Sequence, residues 1–151
     1  MSSQVHLTDL VKTINVSLAT VAGTSTVTSS VVDMTGYNAC RFICTTGDAT
    51  SGTVLTLTVK SNTANSTSSP TPVTEASSTV TSASSTDCDE KILIVDVIKP
   101  GGKYVFATLT RSTQNCVMNS MTCELYNAKA LPTVADATVV ASAKAVSGGS
   151  V

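Results

Sequence analysis

The sequence predicts an all-β protein, built as a single β-sandwich of about eight antiparallel strands. The first observation is composition: 26 Thr and 21 Ser stand among 151 residues with few aromatics, and both Thr and Val favour a pleated, half-buried surface. The second is a series of short segments in which apolar and polar residues alternate. The third is a length that suits one domain. We expect a jelly-roll-like topology rather than an immunoglobulin-like one.

The chain divides into three regions in this interpretation. We expect an N-terminal arm at residues 1–12, the β-sandwich domain at 13–131 and a small-residue C-terminal arm at 132–151. The last region contains TVADATVVASAKAVSGGSV, which is made of small residues and has a glycine pair near its end. That composition favours an extended arm over a short helix at 135–145.

Four strands are predicted in the first half of the chain, at residues 13–21, 24–34, 37–46 and 53–61. Each places apolar side chains in phase on one face, which is the pattern of a half-buried strand. These core-facing residues are Ile14, Val16 and Leu18, then Val27 and Val31, then Cys40, Phe42 and Cys44, and finally Leu55, Leu57 and Val59. A turn of hairpin length at 47–52 separates the last two strands.

A Ser/Thr-rich stretch at residues 61–86 contains sixteen hydroxyl residues and a single charge, Glu75. If this stretch were a linker, it would leave two pieces of about 60 and 65 residues. Neither piece has the disulfide framework or metal site that domains so small usually need. We therefore place it within the one fold, with Pro70 and Pro72 discouraging edge-to-edge association of its strands. The expected elements are a loop, one or two edge-like strands and a second loop, at 61–71, 72–82 and 83–90.

The strongest strand signal is KILIVDVIKPGGKYVFATLTR, at residues 91–111. Ile92–Val95 is apolar on both faces, which predicts a strand in the centre of a sheet. Pro100–Gly102 predicts a tight reversal, after which Tyr104–Leu109 returns as the partner strand. Residues 115–126 predict a further strand with a bulge or two apolar faces, because their apolar residues change phase.

Composition argues against nucleic-acid binding, membrane spanning and secretion. The formal net charge is −1 and the nine basic residues are scattered singly, whereas nucleic-acid binders carry basic stripes with stacking aromatics. No apolar run approaches the length of a membrane-spanning helix. The first residues lack the basic leader and apolar region of a secretory signal, so we expect synthesis in the cytoplasm. Neither nucleic acid nor membrane is an expected partner.

Five cysteines are present, an odd number whose intervals match neither a secreted disulfide framework nor paired zinc knuckles. We interpret them as buried, reduced thiols that act as small hydrophobes. A disulfide or a metal site is the alternative, and the single histidine, His6, lies near the chain end. The cysteines are Cys40, Cys44, Cys88, Cys116 and Cys123.

No catalytic constellation is recognisable. A Ser-His-Asp triad would have to use His6, which has no nucleophile elbow or oxyanion loop nearby. The acidic cluster before the strong strand lacks the glycine turn and ligand spacing of a calcium loop, so a solvated turn is favoured over a weak calcium site. Gly101-Gly102-Lys103 lacks the leading glycine of a phosphate loop and is interpreted as a turn. The acidic cluster comprises Asp87, Asp89 and Glu90.

Asp96 is unusual because it interrupts the apolar run ILIVDVI. The functional interpretation is a general acid or base with a raised pKa. The structural interpretation, which we favour, is a carboxylate that lies exposed or pairs with Lys99, Arg41 or Arg111. With no second catalytic group nearby, we predict no enzyme activity, no catalytic residues, no cofactor and no metal.

The order of segments resembles a known family. VVDMTGYNACRFICTT, GDATSGTVLTLTVKSNT and KILIVDVIKPGGKYVFATLTR follow one another with a Ser/Thr-rich stretch between the last two. Over about residues 25–130, this order is similar to the small β-sandwich cement or decoration proteins of tailed-bacteriophage capsids. The shared stretch is Ile94-Val95-Asp96-Val97-Ile98-Lys99-Pro100 followed by Lys103-Tyr104-Val105, with lysines where arginine is more usual.

The resemblance implies a non-enzymatic virion protein, made in the host cytoplasm, that binds the exterior of a phage capsid and stabilises it. Its expected partners are the major capsid protein and itself, as a homodimer or homotrimer. The alternatives are a tail or head-fibre component, and a secreted adhesin or pilin-like binding module. A hydrolase on a β-sandwich is the least favoured class, because the site residues are missing.

Overall fold

The computed structural model describes residues 4–147 and confirms the all-β prediction. One four-residue helix, α1 (Leu7–Leu10), precedes the strands. The strands are β1 (Lys12–Ser17), β2 (Thr20–Gly23), β3 (Val27–Thr28), β4 (Val32–Asp33), β5 (Tyr37–Ala49), β6 (Val54–Asn62), β7 (Thr71–Thr81), β8 (Ile92–Ile98), β9 (Tyr104–Ser112) and β10 (Cys116–Ala128). All strand pairings among these elements are antiparallel.

The strands form two sheets that pack as a sandwich. The first sheet has the order β1-β10-β5-β8, with β2 following β1 along the same edge of β10; the second has the order β3-β9-β6-β7, with β4 following β3 along β9. If β1 and β2 are counted as one interrupted edge strand, and β3 and β4 as another, each sheet has four strand positions. The chain places its first and last strands, β1 and β10, beside each other in one sheet, and places the broken edge of β3 and β4 beside the penultimate strand β9 in the other. This is the strand order of a jelly roll, as predicted.

The core lies between the sheets and is aliphatic, with thiols and methionines filling its gaps. Two predicted inward faces are confirmed, since the alternating residues of β5 and β6 are fully buried. These are Cys40, Phe42 and Cys44 on β5, and Leu55, Leu57 and Val59 on β6. The predicted bulge in the last strand is also present, because the register of β10 shifts between Met118 and Ser120.

The first predicted strand is broken in the structure, and the inward position of Leu18 was wrong. The pairing of β1 with β10 shifts register between Asn15 and Ser17. Val16 is buried in the same phase as Ile14, as predicted. Leu18 lies beyond the end of β1, in the turn before β2, and is 83% exposed.

The Ser/Thr-rich stretch belongs to the sandwich, as predicted, and β7 is an edge strand. Opposite β6, the ladder of β7 is interrupted between Ser77 and Pro72, where Glu75 adopts a φ of 60°. The loop before β7 is ordered by Asn62, whose side-chain amide donates hydrogen bonds to the carbonyls of Ser66 (2.8 Å) and Ser68 (2.9 Å). Hydroxyl residues thus line an edge and a loop of one domain.

The segment 91–111 departs from its predicted arrangement in two ways. β8 is an edge strand of the first sheet rather than a central strand, and β9 belongs to the other sheet, so the two are not hairpin partners. The connection at 99–103 crosses from one sheet to the other. Apolar residues on both faces indicate a buried central strand only if some element covers the second face. Here the outer face of β8 is open to solvent.

Arg111 on β9 ties the two sheets together. The side chain is 1% exposed. Its guanidinium donates hydrogen bonds to the carbonyls of Ser25 (2.9 Å), Val21 (2.8 Å) and Cys116 (2.6 Å). Val21 is on β2 and Cys116 is on β10, both in the opposite sheet. Three hydrogen bonds from the fork of arginine donors therefore satisfy main-chain acceptors where the sandwich is closed at one end.

The C-terminal region from 133 to 147 contains no helix or strand, turns once at 137–138, and contacts the N-terminal segment of its own chain. Thr133 donates its main-chain N–H to the carbonyl of Asp9 (2.9 Å). The hydroxyl of Thr138 accepts a hydrogen bond from the N–H of Asn15 (3.0 Å), on the free edge of β1. Lys144 forms an ion pair with Asp9 (2.9 Å). This arm therefore covers the β1 edge.

Candidate functional site

The most distinctive surface of the molecule is the outer face of β8. Along this strand, Leu93, Val95 and Val97 point into the core, and the even-numbered residues point outward. Three of those outward residues are isoleucines, namely Ile92 (60% exposed), Ile94 (47%) and Ile98 (62%). We call these three residues, together with Asp96 and its outward neighbours on β5 and β10, the β8 face. The neighbours are Arg41, Ile43, Glu124 and Tyr126.

A polar row crosses the middle of the β8 face. The strand registers place Asp96 opposite Arg41, and Arg41 opposite Glu124. Arg41 donates to Glu124 from Nε (2.8 Å), and this hydrogen bond raises the pKa of Arg41. Tyr126 donates its phenolic proton to Asp96. Every charge of the row thus has a partner on the same face.

Burial of Tyr126, and then its hydrogen bond to Asp96, raise the pKa of the phenol to about 12. The phenol therefore remains protonated and acts as a donor at any physiological pH. The row of paired groups lies between Ile94 on one side and Ile98 on the other. Arginine and tyrosine flanked by aliphatic side chains are typical of protein–protein interface centres.

The β8 face is shallow. One open depression on it is a groove of about 310 Å³ between the polar row and the N-terminal segment. Leu7 and Val11 form the apolar wall of this groove, and Arg41, Glu124 and Tyr126 form the polar wall. An open groove with one polar row suits contact with another macromolecular surface better than enclosure of a small ligand, which calls for a deep, mostly apolar cavity.

The five cysteines lie in the core as free thiols, which confirms their prediction as buried hydrophobes. Burial raises the pKa of Cys40 and of Cys44 to about 12, and it also raises the pKa values of Cys116 and Cys123. Because the thiolate is the reactive form, these cysteines are poor nucleophiles and poor metal ligands in the folded protein.

Thiol titration tests this arrangement. For Cys40, a pKa raised from 9.0 to about 12 leaves about a thousandfold less thiolate, so we expect negligible reaction with a disulfide reagent in the native state. Unfolding in urea without reductant should release five reactive thiols per chain. Rapid labelling of the native protein, or fewer than five thiols after unfolding, would contradict the assignment.

The acidic cluster before β8 is engaged by the chain itself. Asp87 accepts hydrogen bonds from the hydroxyl of Ser82 (2.6 Å) and from the N–H of Ala83 (2.7 Å). These bonds, in that order, lower the pKa of Asp87 to about 2. Asp89 accepts the N–H of Ala49 (2.7 Å). The cluster therefore organises a turn, in agreement with the structural interpretation of the sequence.

Asp87 should make stability depend on pH at the acid end. Its folded-state pKa of about 2 lies below the ordinary value of 3.8, so its contribution is present above that value and is lost as the pH falls toward the folded pKa. We expect the urea concentration at the unfolding midpoint of the wild type to decrease as the pH is lowered from 3.8 toward 2. The Asp87→Asn variant should lack that part of the decrease, whereas Asp48→Asn, at an exposed position on β5, should retain it.

The remaining candidates from the sequence lie apart from one another. His6 immediately precedes α1 and makes no side-chain capping bond. Gly101-Gly102-Lys103 lies in the crossing between the sheets, which corrects its interpretation as a hairpin turn. Of the expected partners of Asp96, only Arg41 lies opposite it, because Arg111 is buried at the closed end of the sandwich. The structure brings none of these groups together into a catalytic arrangement.

Within residues 4–147, no group of three or more His, Cys, Asp or Glu side chains is arranged to hold a metal ion. In the same range, no helix has the length and apolarity needed to cross a membrane. Comparison with known proteins adds no assignment, since no family profile and no curated protein matches the chain.

The exposed face of β8 was not foreseen from the sequence, although its signal is there. The run ILIVDVI has isoleucine at three of its four outward positions. Such a pattern fits a central strand and also fits an edge strand with an uncovered apolar face. Only the strand order distinguishes the two, and strand order depends on contacts between residues distant in sequence.

Proposed function

We propose that this protein is a non-enzymatic structural component of a virion, which binds the outside of a tailed-phage capsid and stabilises it. The observation that carries the proposal is the β8 face, on which three isoleucines flank a paired row of charges. Exposed apolar residues clustered around polar groups on one face mark surfaces that bind another macromolecule. The major capsid protein is the proposed partner, and the capsid exterior is the proposed location.

The rest of the surface supports a role in dense assembly. The formal net charge is −1, and the exposed parts of the chain are rich in hydroxyl groups. Neighbouring copies on a shell would therefore repel one another little. Jelly rolls are common in viral capsid proteins. In a symmetric oligomer, several weak contacts would combine through effective concentration, so no deep pocket is needed.

Two alternatives share the same architecture. A tail or head-fibre component would use the β8 face on a different virion partner. A secreted adhesin or pilin-like module would normally use disulfides, whereas the thiols here are free and buried. Mass measurement with and without reductant on protein from its native source separates export from cytoplasmic assembly, since bridged thiols favour the secreted class.

The C-terminal arm provides a second proposed contact. Residues 133–144 lie on their own chain through Asp9 and Asn15, while Val140 is almost fully exposed. We propose that part of this arm packs on a neighbouring subunit. Deletion of residues 133–151 should then weaken capsid binding or self-association, and unchanged binding would contradict it.

Co-sedimentation with empty capsids tests the function directly. The wild-type chain should pellet with capsids at a fixed, saturable ratio and should raise the temperature at which the shells disrupt. Ile94→Asp should reduce capsid binding at least tenfold, because it places an unpaired charge beside the apolar contact. Leu18→Asp, at an exposed apolar position on the opposite edge, is the matched control and should bind as the wild type does. Absence of saturable wild-type binding would contradict the proposal.

A further inference from the structure

The four sheet edges of the sandwich differ in how they are protected from pairing with another chain. The β1 edge has an irregular register and is covered by the C-terminal arm. The edge formed by β3 and β4 consists of two strands of two residues each. β7 contains Pro72 and a wide interruption in its ladder. Proline, bulges and short strands are the usual ways in which an edge avoids pairing.

The β8 edge has none of these protections. Its seven residues pair with β5 without a register shift, from Ile98 opposite Ala39 to Ile92 opposite Thr45. No proline lies within Ile92–Ile98, and lysines occur only just outside it, at Lys91 and Lys99. A regular, apolar edge strand is a template for a further strand.

The hydrogen-bond phase of β8 shows which main-chain groups are available at this edge. Thr46 donates its N–H to the carbonyl of Lys91 (2.9 Å), and Lys99 donates its N–H to the carbonyl of Asn38 (2.8 Å). These pairs continue the β5–β8 register by one residue at each end. Since an antiparallel ladder alternates, the odd-numbered residues of β8 bond to β5. The groups that face the free edge belong to Ile92, Ile94, Asp96 and Ile98.

We propose that a second copy of this chain pairs with β8 in antiparallel orientation, about a twofold axis at Val95. In this register, Ile92 lies opposite Ile98 of the second copy, and Ile94 lies opposite Asp96 of the second copy. Each opposed pair of this kind exchanges two hydrogen bonds. The four outward N–H groups and four outward carbonyls of each copy are then all bonded.

Other symmetric registers are worse. An axis between two residues opposes even-numbered residues to odd-numbered ones, whose main-chain groups are already bonded to β5. An axis at Ile94 or Asp96 leaves outward groups unpaired at the strand ends. The axis at Val95 also brings Ile92 into side-chain contact with Ile98 of the second copy, and aliphatic cross-strand pairs stabilise a sheet. The register thus follows from both the hydrogen-bond phase and the side chains.

The two β8 faces become one surface in this dimer. Edge pairing joins the first sheets of both copies into a continuous sheet, so both sets of outward isoleucines lie on its same side. At each end of the joined strands, Lys91 lies opposite Lys99 of the second copy, and like charges in this position repel. Association should therefore strengthen as salt screens the lysines. This inference goes beyond the proposed function, because it requires no capsid.

Cysteine cross-linking tests the register in the absence of capsids. Ile92→Cys and Ile98→Cys chains are prepared separately, one of them isotope-labelled, and are oxidised alone or mixed. In the proposed ladder the mixed pair has a Cα separation of about 5.5 Å, which suits a disulfide. Identical variants place their cysteines about 20 Å apart. The wild type is the control for its five buried thiols.

The mixture should yield a cross-linked dimer of one labelled and one unlabelled chain at least tenfold faster than either variant alone. Equal cross-linking of the single variants, or none in the mixture, would overturn the proposed register. These outcomes are independent of whether the chain binds capsids.

Sedimentation velocity of a proline variant provides a second test. The substitution changes one side chain of the β8 face and leaves the others in place. Ile94→Pro removes an outward N–H that β5 does not use, so we expect a folded chain by circular dichroism with at least tenfold weaker association. Leu18→Lys adds a charge on the opposite edge and should associate as the wild type does. A wild type that stays monomeric at millimolar concentration, or a dimer unaffected by Ile94→Pro, would overturn the inference.

Discussion

Replacement of Arg111 by alanine is expected to lower the free energy of unfolding by about 3–5 kcal/mol. Truncation of so large a buried side chain leaves a cavity. It also leaves the main-chain acceptors of Val21, Ser25 and Cys116 without their donor, and a buried acceptor without a partner costs about 1–3 kcal/mol. The urea midpoint, with the slope of the transition compared between variants, measures the loss.

The matched control is Arg41→Ala on the β8 face. Arg41 pairs with Glu124 at a site where its side chain is 40% exposed, and exposed ion pairs contribute about 0–1 kcal/mol. Arg111→Lys should fall between the two, since lysine keeps the charge but loses the planar fork of donors. If Arg111→Ala lost no more stability than Arg41→Ala, the role of Arg111 as a link between the sheets would be wrong.

Gly102→Ala is expected to destabilise the protein by about 1–3 kcal/mol through overpacking. A Cβ at this position would lie 2.6 Å from the carbonyl oxygen of Asn62 and 2.8 Å from its nitrogen. These are main-chain atoms of β6 and cannot move aside as a flexible side chain would. The strain falls on the crossing that carries the chain from β8 to β9.

Lys103→Ala is the control for this crossing. Lys103 is an exposed neighbour whose ammonium lies 5.1 Å from the centre of the Tyr104 ring, and exposed contacts of this kind contribute about 0.5–1 kcal/mol. Denaturant titration of both variants should therefore show the larger loss for Gly102→Ala. An equal loss would indicate that the close approach to Asn62 relaxes without cost.

The sequence predicts well what depends on local alternation. Leu55, Leu57 and Val59 face the core as expected, because their period of two leaves one inward face. The Ser/Thr-rich stretch was placed correctly because neither flanking piece was large enough to fold alone. Strand phase within a regular segment is a property of that segment's own residues, so it was accessible before the structure.

What the sequence does not predict depends on distant contacts. Leu18 continues the alternation of Ile14 and Val16 but lies beyond the end of β1, and no residue pattern marks where that strand ends. A turn-like PGG at residues 100–102 is compatible with a hairpin and with a crossing, and only the pairing of β9 with β6 decides between them. The position of β8 at an edge, and with it the candidate surface, follows from the same long-range pairing.

The position of the two terminal segments bears on how the protein can be used as a carrier. Residues 7–11 and 133–144 meet beside β1, whereas β8 is the opposite border of the same sheet. Three strand spacings, about 14 Å, separate the two borders. Cargo genetically fused through the C-terminal segment is therefore expected to leave the molecule beside β1, whereas cargo on the N-terminal segment would stand next to the groove that Leu7 and Val11 border.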